Sequence, residues 1–292
     1  MNIFNLFKRK LKPAAQTMLS GWNAPKADVF LLSSGEALSL ARQIRPGLIR
    51  WGGTVSQHKE EMGDIDKLVS IAKDINAPVV YTADLYDSTP AEVMGRIMAH
   101  VNSGVKVVGV ELGNESYLPQ YRNRILSPSD YIERAHEMRN MVKRKLPGMP
   151  CGIVIAPSVD MRDPDSSLTF PSYLLEWNRI VLAETWPDAV VLHSYVNPQK
   201  SGPDYMAHAN AVKSFLGDLS KRRVWLTEVG VQGTCTAQER YDHRKRMLGV
   251  ASSSGNVDVF VWHSLVGGGE NAAIHATGKD AELTGFGKLI VG

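Results

Sequence analysis

Cysteine is nearly absent from this chain of 292 residues. Only Cys151 and Cys235 occur, and neither sits in a C-x-x-C pair. That spacing argues against a zinc site or a redox motif, and leaves a single disulfide as an open alternative to two small buried thiols. Long apolar runs are missing too: nothing approaches the roughly 18 residues that a bilayer-spanning helix needs. Charge of one sign is scarce. Lys and Arg total 33 against 30 Asp and Glu, a net +3, which implies no nucleic-acid partner. No G-x-G-x-x-G follows the first apolar run, and Gly267-Gly268-Gly269 is not followed by Gly-Lys-Ser/Thr. A dinucleotide turn and a phosphate loop are thereby excluded. His263, Glu270, Asn271 and His275 fall on or after the last run, but their spacing matches no H-E-x-x-H or related pattern. Neither metal nor cofactor is expected.

Basic residues cluster twice. Lys143-Arg144-Lys145 reads as a helix end, where cations suit the helix dipole. Lys8-Arg9-Lys10 with Lys12 follows Ile3, Leu6 and Phe7. A secretory leader would put its charge first, so this segment reads as a tail, with a small amphipathic surface helix as the alternative. Stable membrane insertion is not expected, and the absence of a leader pattern points to the cytoplasm.

What the chain does have is a repeated unit. Short runs rich in Val, Ile and Leu occupy residues 29–33, 48–52, 79–83, 107–114, 152–156, 189–195, 224–229 and 257–263. Such runs suit strands buried on both faces. Helix signals lie between them. Thr89-Pro90 puts Pro in a first turn, Ser127-Pro128 opens a long segment, and Thr236 with Glu239 fits a capping box. Gly104 and Gly255 sit at C-cap positions, and a last helix is expected near residues 281–290. Strand–helix alternation repeated eight times predicts an α/β fold, a single (β/α)8 barrel spanning 27–292, with 1–26 as tail or barrel-bottom cover.

Active sites of such barrels lie at the C-terminal strand ends. Side chains alternate along a strand, so Leu48 with Arg50, Glu111 with Gly113 and Glu115, His193 with Tyr195, Leu226 with Glu228, and Phe260 with Trp262 share faces. If those faces point inward, two carboxylates, an Arg, a His, a Tyr and a Trp meet at one mouth. Two carboxyl groups in different environments can divide acid and nucleophile work, as cleavage of a glycosidic bond requires. Arg50 near Glu228 would keep it ionised. Glu111, one layer deeper, needs a buried partner such as Arg50 or His193. Tyr81, Asp84 and Tyr86 end the third run as candidates for substrate contact. Plainer roles stand beside these: a dipole-stabilising Glu115, a strand-end Glu228, a satisfied core His193, a Trp262 that only fills space.

The motifs resemble those of clan A glycoside hydrolases, nearest in flavour to families 39, 51 and 79. Glu111-Leu112-Gly113-Asn114-Glu115 is similar to their strand-four E-[IL]-G-N-E. Trp225-Leu226-Thr227-Glu228-Val229-Gly230 resembles the strand-seven T-E-x-G, and Arg50-Trp51-Gly52-Gly53 an early R-x-x-G-G shortened by one residue. His193-Ser194-Tyr195 matches a strand-six H-x-Y, and Trp262 falls where the clan keeps a strand-eight Trp. The resemblance implies a retaining hydrolase of a β-type glycoside or an α-L-arabinofuranoside. Glu115 would be acid/base and Glu228 nucleophile. Asn114 would hold the sugar 2-hydroxyl, Tyr195 would orient Glu228, His193 and Arg50 would form a polar floor, and Trp262 a sugar platform. The implied partner is an oligosaccharide, polysaccharide or small glycoside. A carbohydrate-binding barrel without turnover, and a metal-dependent barrel hydrolase, are the competing expectations.

Overall fold

A computed structural model describes residues 18–25, 30–53, 65–157, 172–201, 204–267, 272–277 and 279–292. Lys8, Arg9, Lys10 and Lys12, the apolar stretch before them, Glu270 and Asn271 lie outside the described residues.

Eight parallel strands close into a barrel in sequence order: β1 (Leu19–Pro25), β2 (Ile49–Gly52), β3 (Val79–Ala83), β4 (Val107–Leu112), β5 (Cys151–Val154), β6 (Ala189–Val196), β7 (Val224–Val231) and β8 (Val257–His263). Strands β2, β3 and β5 are buried along their whole length, as a sheet covered by helices requires. The covering helices are α1 (Gly35–Ile44), α2 (Ile65–Ile75), α3 (Pro90–Asn102), α4 (Pro128–Lys145), α5 (Ser172–Ala183), α6 (Tyr205–Asp218), α7 (Ala237–Ser254) and α8 (Gly285–Val291). None of the described helices is long and apolar enough to cross a membrane.

The local signals act where the sequence puts them. Thr89 and Glu92 form a reciprocal capping box on α3, as do Thr236 and Glu239 on α7. Gly255 ends α7 in the left-handed region, at φ 73°. Cys151 and Cys235 are both free thiols.

Two expectations are corrected. The first barrel strand is not residues 29–33 but Leu19–Pro25, inside the segment assigned to a tail. Phe30–Ser33 forms a short 3-10 turn leading into α1. The β1 sequence Leu-Ser-Gly-Trp-Asn-Ala-Pro has poor strand composition. It becomes a strand because β2 and β8 flank it on both sides, an instance of context overriding propensity. Gly21 is what lets it close the ring: a Cβ there would overlap the Leu48 carbonyl oxygen. The second correction is at the far end. Val266–Gly267 (β9), Ile274–Thr277 (β10) and Asp280–Leu283 (β11) make a small separate sheet, so the last helix starts only at Gly285.

Gly21→Ala is therefore expected to destabilise the protein by about 1–3 kcal/mol through overpacking. Urea unfolding measures it. An unchanged midpoint would return residues 19–25 to the tail.

Candidate active site

At the C-terminal mouth, Asn23 comes from β1, Arg50 from β2, Glu111 from β4, His193 and Tyr195 from β6, Glu228 from β7 and His263 from β8. Asn114 and Glu115 follow just past β4. Arg50 is fully buried and organises the floor. Its Nε donates to Glu111 Oε2 at 2.8 Å and its Nη2 to Glu111 Oε1 at 2.5 Å. The second Nη2 proton goes to Asn114 Oδ1 at 2.7 Å. Nη1 serves Glu228 Oε2 at 2.8 Å and Asn23 Oδ1 at 3.2 Å. A guanidinium has five N–H donors, and all five are committed. Gly52 makes room for this fork, since a Cβ there would stand 2.6 Å from Arg50 Cζ.

The count settles neighbouring protons. His193 Nε2 lies 3.3 Å from Arg50 Nη2, but no Arg50 proton remains to donate to it. Its partner is Glu111 Oε1 at 3.4 Å, while Nδ1 lies 3.2 Å from Glu115 Oε1. Both ring nitrogens face carboxylates, so an imidazolium fits. Burial opposes that charge, yet Glu228, Glu111 and Glu115 around the ring raise His193 to about 9. Asn23 is fixed in the same way. Its oxygen faces Arg50, so its NH2 faces His263 Nδ1 at 2.9 Å, and His263 carries its proton on Nε2.

Glu228 keeps 12% side-chain exposure at the mouth. The Tyr195 hydroxyl donates to its Oε1. Burial works against its ionisation, but His193 and the Arg50 guanidinium outweigh that and hold it below the ordinary carboxylate range. Glu111 is treated likewise: burial would raise it, and Arg50 with His193 brings it to about 2.

Glu115 sits in the loop after β4 with φ 45°, the left-handed region. For a residue with a Cβ this conformation is uncommon and costs of order 1–3 kcal/mol. The surroundings impose it. Tyr131 of α4 pins the strand ends, donating to Leu112 O at 2.8 Å and accepting from Val154 N at 2.7 Å. The Gly113 amide donates to Ala83 O. The bent loop brings Glu115 Oε1 within reach of His193 and of the Tyr117 hydroxyl, 3.3 Å away. His193 Nδ1 is also 3.7 Å from Glu228 Oε2, so by the sum of the two distances the Glu115 and Glu228 oxygens are no more than about 7 Å apart.

Six of the seven residues expected at the mouth meet there: Arg50, Asn114, Glu115, His193, Tyr195 and Glu228. Trp262 does not. It is fully buried in the outer layer, against His243 of α7 and Phe286 of α8. The face assigned to β8 is reversed, and its neighbour His263 faces the mouth. The β7 face was also misjudged. Trp225 is the inward residue, since Cβ atoms on Gly109 and Gly152 across the barrel would strike its ring. The pairing of β6 with β7 then skips Thr227, from Leu192↔Leu226 to His193↔Glu228. This bulge turns Glu228 inward; strict alternation from Trp225 would have turned it out.

The third-run candidates have structural work. Tyr81 packs against His100 of α3. Asp84 accepts from the amides of Tyr86 and Asp87 and from the Ser88 hydroxyl, and the Tyr86 hydroxyl donates to Asn123. Asn23 and Tyr117 are missing from the expected set, and His263 stands in it only as a candidate metal ligand. Asn23 lay hidden in the misassigned tail, and His263 was legible as the residue beside Trp262. Among the described residues no His, Cys, Asp and Glu group is arranged to hold a metal ion.

A closed parallel barrel whose mouth gathers buried, hydrogen-bonded carboxylates is the class that fold and site define. Among solved structures, the barrel matches an α-L-arabinofuranosidase from Thermotoga maritima in complex with arabinose at TM-score 0.69 and 14% identity, covering 95% of this chain and 70% of that one. It matches a family 51 α-L-arabinofuranosidase from Bifidobacterium longum at TM-score 0.71 and 14% identity, over 93% and 71%. A GH128 (subgroup I) endo-β-1,3-glucanase from Amycolatopsis mediterranei, in complex with laminarihexaose, matches at TM-score 0.59 and 17% identity, over 94% and 99%. At such identities the likeness is one of fold. No family model and no curated protein matches the chain.

Glu111→Leu should cost about 3–5 kcal/mol, because it removes one of the two carboxylates and two of the five acceptors that compensate the buried Arg50 guanidinium. Denaturant unfolding of the variant measures this. The pH dependence has two edges. Glu111 sits at about 2, below its ordinary 4.5, so its stabilisation is complete above 4.5 and fades as pH falls toward 2. His193 is raised from 6.5 to about 9, so its contribution is complete below 6.5 and is lost as pH rises through 9. Stability in the Glu111 variant that matches wild type at neutral pH would contradict the buried pair.

Proposed function

We propose that this chain is a retaining glycoside hydrolase, with Glu115 as general acid/base and Glu228 as nucleophile. The observation that carries the reading is His193 Nδ1 placed between the two carboxyl groups, with Arg50 bound to Glu228 alone of the pair. Arg50 contacts Glu228 and not Glu115, and with His193 it favours the ionised form of Glu228; Glu115 is accordingly assigned the leaving-group proton. Retention calls for carboxyl groups roughly 5–5.5 Å apart, whereas inversion leaves room for a water at about 6.5–9.5 Å. The bound of about 7 Å between the facing oxygens admits the shorter arrangement and excludes most of the longer range.

In the first step the Glu115 proton passes to the glycosidic oxygen as the bond from that oxygen to the anomeric carbon breaks. The Glu228 carboxylate forms an ester bond to the same carbon. In the second step Glu115, now a carboxylate, takes a proton from water. The water oxygen bonds to the anomeric carbon and the ester breaks, which frees Glu228. Asn114 turns its amide oxygen to Arg50 and therefore its NH2 away from the floor, suited to the sugar 2-hydroxyl. Tyr195 holds Glu228 for attack.

The substrate class is a β-type glycoside or an α-L-arabinofuranoside. Barrels of this shape serve both an arabinofuranosidase and a β-1,3-glucanase. Nitrophenyl α-L-arabinofuranoside, nitrophenyl β-D-glucoside and laminari-oligosaccharides are the first substrates to try. The first-formed sugar should keep the anomeric configuration of the substrate when followed by proton NMR. Glu115→Gln should slow the reaction by about 10²–10⁴-fold, most for poor leaving groups, as loss of a general acid does. Glu228→Gln should remove the covalent intermediate. An inverted first product would overturn retention. Sugar binding by wild type with no turnover of any glycoside would leave a binding protein on the same barrel.

A further inference from the structure

Beside the acid lies a second concavity that the cleavage step does not use. It has a cavity volume of about 230 Å³ and is lined by Tyr117, Arg122, Ile125, Leu126, Tyr173 and Trp177, among others. Tyr117 is a shared wall: its hydroxyl reaches Glu115 Oε1, and the residue also lines the cavity. The residue that protonates the leaving oxygen thus adjoins this space. A group departing on the Glu115 side has a place to sit.

The lining states what kind of group fits. The walls are largely aromatic and aliphatic, and Leu126 at the rim is 73% exposed. One charge dominates. The Arg122 guanidinium lies over the Tyr173 ring, 4.0 Å from its centroid, which holds the flat cation in place. Among the described residues no carboxylate pairs with Arg122. Glu176 also lines the cavity, but its two oxygens are taken by Arg179, at 2.7 Å from Nε and 2.6 Å from Nη2. Asp130, nearby at the start of α4, is engaged by Arg134 and by the Leu126 amide. The cavity therefore presents apolar ring-sized walls with one oriented cation that no described carboxylate compensates. A guanidinium fork matches a carboxylate.

We infer that this cavity is a leaving-group site selective for a ring that bears a carboxylate. The ring is either a uronosyl unit of a saccharide or a carboxylated aromatic aglycone. The inference rests on the hydrolase reading above, because it takes its occupant from the side that Glu115 protonates.

Two arms test it. In the kinetic arm, the glycosyl group that proves active is attached to phenol and to 4-hydroxybenzoate. The ratio of kcat/KM for the carboxylated over the plain ring is compared between wild type and Arg122→Gln. Comparing the ratio cancels the intrinsic reactivity of each leaving group. The variant should lower that ratio about three- to tenfold, the smaller end of a charge-assisted bond because Arg122 is exposed. Hydrolysis of the plain phenyl glycoside should fall less than that of the carboxylated one, and Tyr173→Ala should act in the same direction as Arg122→Gln. In the binding arm, D-glucuronate, D-glucose and 4-hydroxybenzoate are titrated by NMR into wild type and Arg122→Gln. Whichever carboxylate binds in an Arg122-dependent way names the source. Turnover with a ratio that ignores Arg122 would overturn the site and leave the hydrolase standing. Arg122-dependent carboxylate binding with no glycoside turned over would overturn the hydrolase and leave only the site.

Discussion

One side chain sets the coordinates of the rest. The Arg50 guanidinium is planar, permanently charged and fully buried, with five protons pointing in fixed directions. Each finds an oxygen: two on Glu111, one each on Asn114, Glu228 and Asn23. Four strand ends are thereby referred to one rigid fork. From it follow the Asn114 amide orientation, the Asn23 amide orientation and hence the His263 tautomer, and the availability of both His193 nitrogens for carboxylates. A buried charge is costly unless paired and hydrogen-bonded, so a partly made version of this network would be worse than none. That all-or-none character makes it a floor for chemistry rather than a loose collection of polar groups.

The two carboxyl groups proposed to react depart from regular geometry at different points. Glu228 owes its inward direction to the skipped residue Thr227 in the β6–β7 ladder. Glu115 owes its reach to a left-handed backbone that its side chain would not choose. Local rules are expected to fail at functional sites, where the surrounding structure carries the strain. Here the surroundings are named: Tyr131 clamping β4 to β5 on one side, and the Arg50 floor below.

Much of this was legible in the chain itself, and the failures have physical causes. Seven of the eight strands stand as apolar runs because parallel strands covered by helices are buried on both faces. The first does not, because Gly21, Asn23 and Pro25 make β1 a strand only in the company of β2 and β8. Asn23 was lost with it. The order of Arg50, Glu115, His193, Tyr195 and Glu228 along the strands was readable, since each ends a run. Their inward direction was not fully readable, since alternation assumes an unbroken ladder. It found Glu228 despite a bulge that it ignored, and it chose Trp262 where the barrel presents His263. The closure of all five Arg50 donors required coordinates, because it joins residues from four strands.

Everything at the mouth depends on the electrostatic state of Glu228, and carbon-13 NMR of the glutamate carboxyls in the wild-type protein reads it directly. The Glu228 carboxyl is expected to stay ionised below the ordinary glutamate value of 4.5, held there by His193 and Arg50. A Glu228 resonance that titrates at or above that value, in the folded protein, would contradict it.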